Sequence, residues 1–315
     1  MMIQFKRGLQ LASAAMALAL ATGALAQVPP AIAQQNREIG PIVENPRTAA
    51  AYGPLQPNEP YAGVTVLRNQ QYAAIPRTIL DVFKPTGVKG KPPILIFFPG
   101  GPGNIHGTGP QGTKFYDNIL VWGAKNGMVG LLVQRESGPG TPWDQGAKNV
   151  AQALEWAQKN PSIHGGDLNR IYIWGHSMGG LTVSNYLSHP ELYPAGKVTV
   201  KAAVLSSGPY NIAPYKAPSA PAPAAGAPTA EALLAQSALP GMRALKIPVF
   251  VNSAEIDPPY LVEVAHELQD EMCMAGNCPR YNRWKDHGHI SSMYSVGTTD
   301  VSVSKPVLDF LRSVR

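Results

Sequence analysis

The alternation of hydrophobic and polar positions is irregular as far as about residue 60, and from there short apolar runs are separated by amphipathic stretches. Eight runs read as strands: Gly63 to Leu67, Thr78 to Phe83, Pro93 to Phe98, Gly127 to Gln134, Arg170 to Trp174, Val200 to Ser206, Pro248 to Ser253 and Arg280 to Lys285. Several are almost continuously apolar, Ile94, Leu95, Ile96, Phe97 and Phe98 most plainly. A run of that kind needs cover on both faces, which is the condition of a mostly parallel sheet set between helices. Val150, Ala153, Leu154 and Ala157 fall on one helical stripe. Leu261, Val264, Ala265, Leu268 and Met272 do the same after Pro258 and Pro259, which suit a helix start. Both stripes read as core faces.

Two stretches break the alternation. Residues 27–60 carry Pro29, Pro30, Pro41, Pro46, Pro54, Pro57 and Pro60 with little periodicity, and read as an extended leader that drapes on the domain or stays loose. Residues 214–240 are rich in alanine and proline, with a short helix expected at Glu231 to Gln236; they read as an insertion over the sheet's carboxyl edge, either a lid or a passive loop. Ahead of both, Lys6 and Arg7 precede an apolar stretch from about Leu9 to Leu25 that ends in Ala24, Leu25, Ala26, the pattern of a secretory signal cut before Gln27. Gln10, Ser13, Thr22 and Gly23, with a marginal length, count against a spanning anchor. The organisation expected is a signal over 1–26, a leader over 27–60 and one main domain over 61–315, secreted or periplasmic.

Charge adds little. Lys and Arg number 26 against 20 acidic residues, and loss of Lys6 and Arg7 with the signal leaves a small basic surplus. No basic cluster is interleaved with aromatics, so nucleic acid is not an expected partner. Nor is stable membrane insertion after signal cleavage expected, and the oligomeric state is not legible. Cys273 and Cys278 are the two cysteines of an exported chain, and a disulfide across that short loop is expected, lying near His289; two free thiols are the alternative.

The candidate chemistry centres on Gly175, His176, Ser177, Met178 and Gly179, directly after Ile171, Tyr172, Ile173 and Trp174. They read as a strand running through a sharp turn into a helix, with glycine on both sides so that the Ser177 hydroxyl is pushed into a cleft. A glycine-rich helix start can instead hold a phosphate or pack closely. An alternating sheet whose fifth strand ends in this sequence resembles the α/β-hydrolases. Residues 66–85, with Arg77, Leu80, Asp81, Val82 and Phe83, are similar to the opening strands of carboxylesterases of the feruloyl and acetylxylan esterase type. So are residues 153–180, with Trp156, Gly166, Asp167, Asn169 and Arg170, though kynurenine formamidase and lipase relatives share these stretches.

The resemblance implies an α/β fold with a mostly parallel eight-stranded sheet flanked by helices. It also implies a chain order of serine, acid, histidine: Ser177, then Asp257 with Glu255 as its rival, then His289 with His287 as its rival. His176 is expected to pack beside the serine, and His106, His164, His189 and His266 to be satisfied surface histidines. Two backbone donors must face the developing oxyanion. One is the amide of Met178. The other comes from Pro99, Gly100, Gly101, Pro102, Gly103, where such esterases carry a histidine followed by glycines. Pro102 has no N–H, so the donor is Gly101 or, failing that, Gly100. The missing histidine removes a usual loop brace, and its replacement is not legible. No metal or organic cofactor is required.

Tyr210, Tyr215 and Trp284 are candidates for an acyl or alcohol pocket, or equally for core. The expected function is hydrolysis of carboxylic esters through an acyl-enzyme on Ser177, with a small-molecule ester as the expected partner. One rival is a serine peptidase of the prolyl iminopeptidase or oligopeptidase type, whose oxyanion loop Gly100 to Gly103 resembles, although iminopeptidases carry tryptophan where Met178 stands. The other is a catalytically silent exported binding protein on the same fold.

Overall fold

The computed structural model describes residues 28–106, 114–193, 199–213 and 229–314. The expected signal, Tyr215 and the first part of the expected insertion lie outside these residues. Eight strands form one sheet: β1 (Val64–Gln71), β2 (Ile79–Pro85), β3 (Pro93–Phe98), β4 (Val129–Val133), β5 (Asp167–His176), β6 (Ala202–Ser206), β7 (Val249–Ile256) and β8 (Arg280–Gly288). Their order is β1-β2-β4-β3-β5-β6-β7-β8, with β1 and β2, and β2 and β4, antiparallel and every other pair parallel. All eight expected strands are present, mostly with ends moved by a few residues.

The helices are α1 (Pro30–Ile39), α2 (Pro46–Tyr52), α3 (Lys114–Lys125), α4 (Gln145–Lys159), α5 (Pro161–His164), α6 (Met178–Ser188), α7 (Ala230–Ala235), α8 (Leu239–Met242), α9 (Pro259–Met274), α10 (Ser291–Tyr294) and α11 (Ser304–Ser313). They cover both faces of the sheet, which explains the continuous apolar runs. Alternate residues of one strand point to opposite faces. Accordingly Ile94, Ile96 and Phe98 join Ile171 and Ile173 in the core beneath α4, α6 and α9, whereas Leu95 and Phe97 join Tyr172 and Trp174 in the core beneath α3 and α11. The predicted stripe Val150 to Ala157 packs into the first of these cores, as does the stripe Leu261 to Met272 from Val264 onward, with Leu261 buried outside it. Such positions are sensitive: trimming a buried phenylalanine like Phe97 to alanine costs about 3–5 kcal/mol.

The expectation of an extended leader is corrected: residues 30–39 and 46–52 are helical. Pro30 and Pro46 occupy the first turns of α1 and α2, where a missing N–H leaves no helix bond unmade. The segment also packs. Ala33 and Asn36 are buried, Asn36 donates to the backbone carbonyl of Asp286 at 2.9 Å, and Arg37 pairs with the Asp286 carboxylate at 2.6 Å. At the far end of the expected insertion, Thr229 caps α7 by accepting from the Ala232 amide at 3.2 Å, and Ala238, Leu239 and Met242 are buried.

Candidate active site

Parallel strands all end on one edge, and that edge gathers the chemistry. Ser177 directly follows β5, Asp257 directly follows β7, and His289 directly follows β8. The backbone at Ser177 has φ 55° and ψ −123°, a conformation that L residues seldom adopt. The turn closes only because its neighbours are glycines. A Cβ on Gly175 would stand 2.3 Å from the Gly179 carbonyl oxygen, and one on Gly179 would stand 2.0 Å from that of Phe98.

His289 Nε2 lies 2.9 Å from the Ser177 hydroxyl, and its Nδ1 lies 2.8 Å from Oδ1 of Asp257. A carboxylate only accepts, so Nδ1 carries the ring proton and Nε2 is left as an acceptor facing the serine. The second carboxylate oxygen, Oδ2, accepts from the Ser207 hydroxyl and from the Ala254 amide, each at 2.6 Å. Asp257 and His289 are both almost fully buried. Ser177 and Met178 are less so, and Met178 leaves 40 % of its surface exposed at the mouth of the site.

Neither rival residue joins this chain of contacts. Glu255 is exposed, and its carboxylate accepts from the Asp286 amide at 2.7 Å. His287 is buried among Ser302 at 2.9 Å, Ser291 at 3.3 Å and Asp300 at 3.3 Å. His176 lies beside the site, its ring 4.7 Å from that of His289. Its Nε2 donates to the His289 carbonyl at 3.0 Å, and burial, followed by the neighbouring His289, holds it well below the usual imidazole range, so it is neutral. His164 is a satisfied but fully buried histidine rather than a surface one. Tyr210 and Trp284 are core: Tyr210 packs on Gly208, and Trp284 donates to Asn252 Oδ1 at 2.9 Å.

On the other side of Ser177 runs the loop after β3. A Cβ on Gly100 would stand 2.9 Å from Cβ of Ser177, so the loop lies directly against the serine. Gly101 has φ +54°, which suits glycine. The Gly101 and Met178 amides have no hydrogen-bond partner among the described residues. Reasoning from sequence missed three neighbours. Ser207 sits just past β6 with φ 49°, Tyr116 begins α3, and Arg135 follows β4. Each is an ordinary residue type in an ordinary context; strand order brings Ser207 and Arg135 to the site, and the start of α3 sets Tyr116 against His176.

Sheet order, a strained serine turn at the edge and a serine, histidine and aspartate in hydrogen-bonded sequence define the α/β-hydrolase fold with a nucleophile elbow. Residues 79–227 match the carboxylesterase family. Among curated relatives, the crystal protein of Dictyostelium discoideum is 34% identical over 139 residues, 42% of this chain and 24% of that protein. Esterase LipC of Mycobacterium tuberculosis is 31% identical over 153 residues, 46% of this chain and 37% of that protein. The chain thus spans well under half the length of the curated relatives it matches. Among solved structures, an esterase B from Lactobacillus Rhamnosis superposes with TM-score 0.65 at 14% identity, covering 85% of this chain and 90% of that one. A Pyrobaculum calidifontis esterase does so with TM-score 0.63 at 16% identity, covering 91% and 98%.

Proposed function

We propose that the protein is an exported serine hydrolase that cleaves carboxylic esters through an acyl-enzyme on Ser177. The observation that carries this reading is the 2.9 Å contact between the Ser177 hydroxyl and His289 Nε2, with Asp257 at 2.8 Å behind the ring. The imidazole takes the hydroxyl proton as the oxygen attacks the ester carbonyl, and the positive charge it gains is stabilised by Asp257. The negative charge on the former carbonyl oxygen is met by the amides of Met178 and Gly101, the first at the start of a helix whose dipole favours an anion. The alcohol departs with the proton from His289. Water then repeats the sequence from the other side, releasing the acid and restoring Ser177. No step draws on a metal or organic cofactor.

The match to the carboxylesterase family over residues 79–227 favours esters over amides. Export rests on the charge and apolar pattern of residues 1–26. A panel of 4-nitrophenyl acetate, butyrate and octanoate, acetylated xylan, methyl ferulate and a proline 4-nitroanilide tests the assignment on the protein lacking residues 1–26. Turnover of one or more esters with none of the anilide is expected; hydrolysis of the anilide alone contradicts it and favours a peptidase.

A further inference from the structure

Arg135 is an anomaly in charge. It is 7% exposed, yet no described carboxylate side chain lies within 4 Å, and every aspartate and glutamate of the chain is among the described residues. Among the described residues its one side-chain hydrogen bond runs from a terminal nitrogen to the Gly101 carbonyl, and its Nε is buried without a partner. A guanidinium offers five donors and keeps its charge at any ordinary pH. Burying it with so little in return is costly, and desolvation accordingly lowers its pKa to about 10.

What Arg135 touches is the loop that faces Ser177. Three successive carbonyls of that loop are each held: Gly100 accepts from the Gly103 amide at 3.1 Å, Gly101 accepts from Arg135, and Pro102 accepts from the Ser137 hydroxyl at 2.6 Å. A trans peptide points its N–H opposite to its C=O. With the Gly100 carbonyl turned inward to Gly103, the Gly101 N–H is turned out of the loop. The backbone of Gly100 is steadied from the far side, where it lies against the Tyr116 hydroxyl, itself 3.5 Å from His176 Nδ1. Gly103 has φ +75°, and a Cβ there would stand 2.4 Å from Cγ of Arg135, so the arginine stem passes where only glycine leaves room.

We infer that Arg135 is the positioning residue that replaces the missing histidine brace: it ties the Gly101 carbonyl so that the preceding amide stays aimed at the oxyanion, and its unneutralised charge reinforces the field there. This rests on the ester-hydrolase reading above. Were the peptide between Gly100 and Gly101 to turn over, it would present a carbonyl dipole of the wrong sign to the developing charge, and the site would lose a donor as well as gain a repulsion. The Gly103 amide holds the carbonyl of that peptide, and Arg135, by fixing the Gly101 carbonyl in the peptide that follows, holds Gly101 from its other side and resists the turn.

The test uses the full signal-free chain as wild type, Arg135→Met and Arg135→Lys, with 4-nitrophenyl butyrate and the anionic 4-nitrophenyl hemisuccinate. Binding of an alkylboronic acid, which copies the tetrahedral oxyanion, is measured alongside. Arg135→Met is expected to lose roughly 100-fold in kcat on both esters, the order expected when a catalytic group is slightly misplaced, with KM little changed. Boronic acid affinity should fall in proportion to kcat/KM. Arg135→Lys should fall in between, keeping charge without the planar fork. If Arg135→Met does not fold, Arg135→Lys carries the same two readouts. A wild-type kcat in Arg135→Met overturns the inference, as does a loss confined to KM for the anionic ester, which would make Arg135 a contact for a substrate anion. A wild type inert towards these two and every ester of the panel above overturns the hydrolase reading and this inference together; equal activity of wild type and variant on any ester that is turned over overturns this inference alone.

Discussion

The Ser207 hydroxyl donates to Oδ2 of Asp257 at 2.6 Å, on the opposite side of the carboxylate from His289. That bond and the one from the Ala254 amide fix the plane in which Oδ1 meets the imidazole. Ser207→Ala removes one hydrogen bond to a charged group, so kcat should fall roughly 10-fold with KM unchanged. Steady-state kinetics at saturating ester measure it, and an unaltered kcat would show that the remaining amide suffices to hold Asp257.

Glu255 and Asp257 are separated by one residue, yet only Asp257 reaches the ring. Asp257→Asn is expected to lower kcat by about 10⁴-fold, because the amide favours the wrong imidazole tautomer. Glu255→Gln should leave kcat near wild type, since its carboxylate serves the Asp286 amide on the exposed side. A reversal of these two results would move the acid.

Two buried histidines shape the response to acid. His176 and His164 are both held below the usual imidazole value of 6.5, chiefly by burial, so both are neutral in the fold. Below that value the unfolded chain binds protons that the folded chain refuses, so stability is complete above it and declines as the pH falls further. The slope approaches about 1.4 kcal/mol per pH unit for a group held well below that value, as His176 is. Urea titrations between pH 7 and pH 5 should show His176→Gln losing less stability on acidification than wild type. Parallel pH profiles would contradict the assignment.

The Cys273 to Cys278 disulfide closes the end of α9, two residues ahead of β8. The expectation that this loop lies near His289 is corrected: His289 follows the opposite end of that strand, which spans nine residues, or roughly 30 Å. Reduction should therefore lower Tm while leaving kcat untouched. Thermal melts and ester turnover with and without reductant check both halves, and a fall in kcat below Tm would link the loop to the site.

The sheet was legible because strands covered on both faces write themselves as unbroken apolar runs, as Ile94 to Phe98 do. The serine turn was legible because its glycines are imposed by contacts closer than any Cβ permits. The helices at Pro30 and Pro46 were misread because proline marks a helix start as readily as a loop, and the hold of the first on Asp286 joins residues some 250 apart. Ser207, Tyr116 and Arg135 were missed for the same reason. Ser207 and Arg135 meet the site through strand neighbours that chain order does not reveal, β6 lying beside β5 and β7 and β4 beside β3, whereas Tyr116 meets it from the start of α3 against His176.

In the proposed reaction Ser177 is a nucleophile made reactive by His289. Intact-mass measurement after treatment with a fluorophosphonate reads it directly: wild type should gain one phosphonyl group, mapped to Ser177, while Ser177→Ala gains none and His289→Ala reacts far more slowly. A wild-type chain that stays unmodified, or a Ser177→Ala chain labelled as fast as wild type, would contradict it.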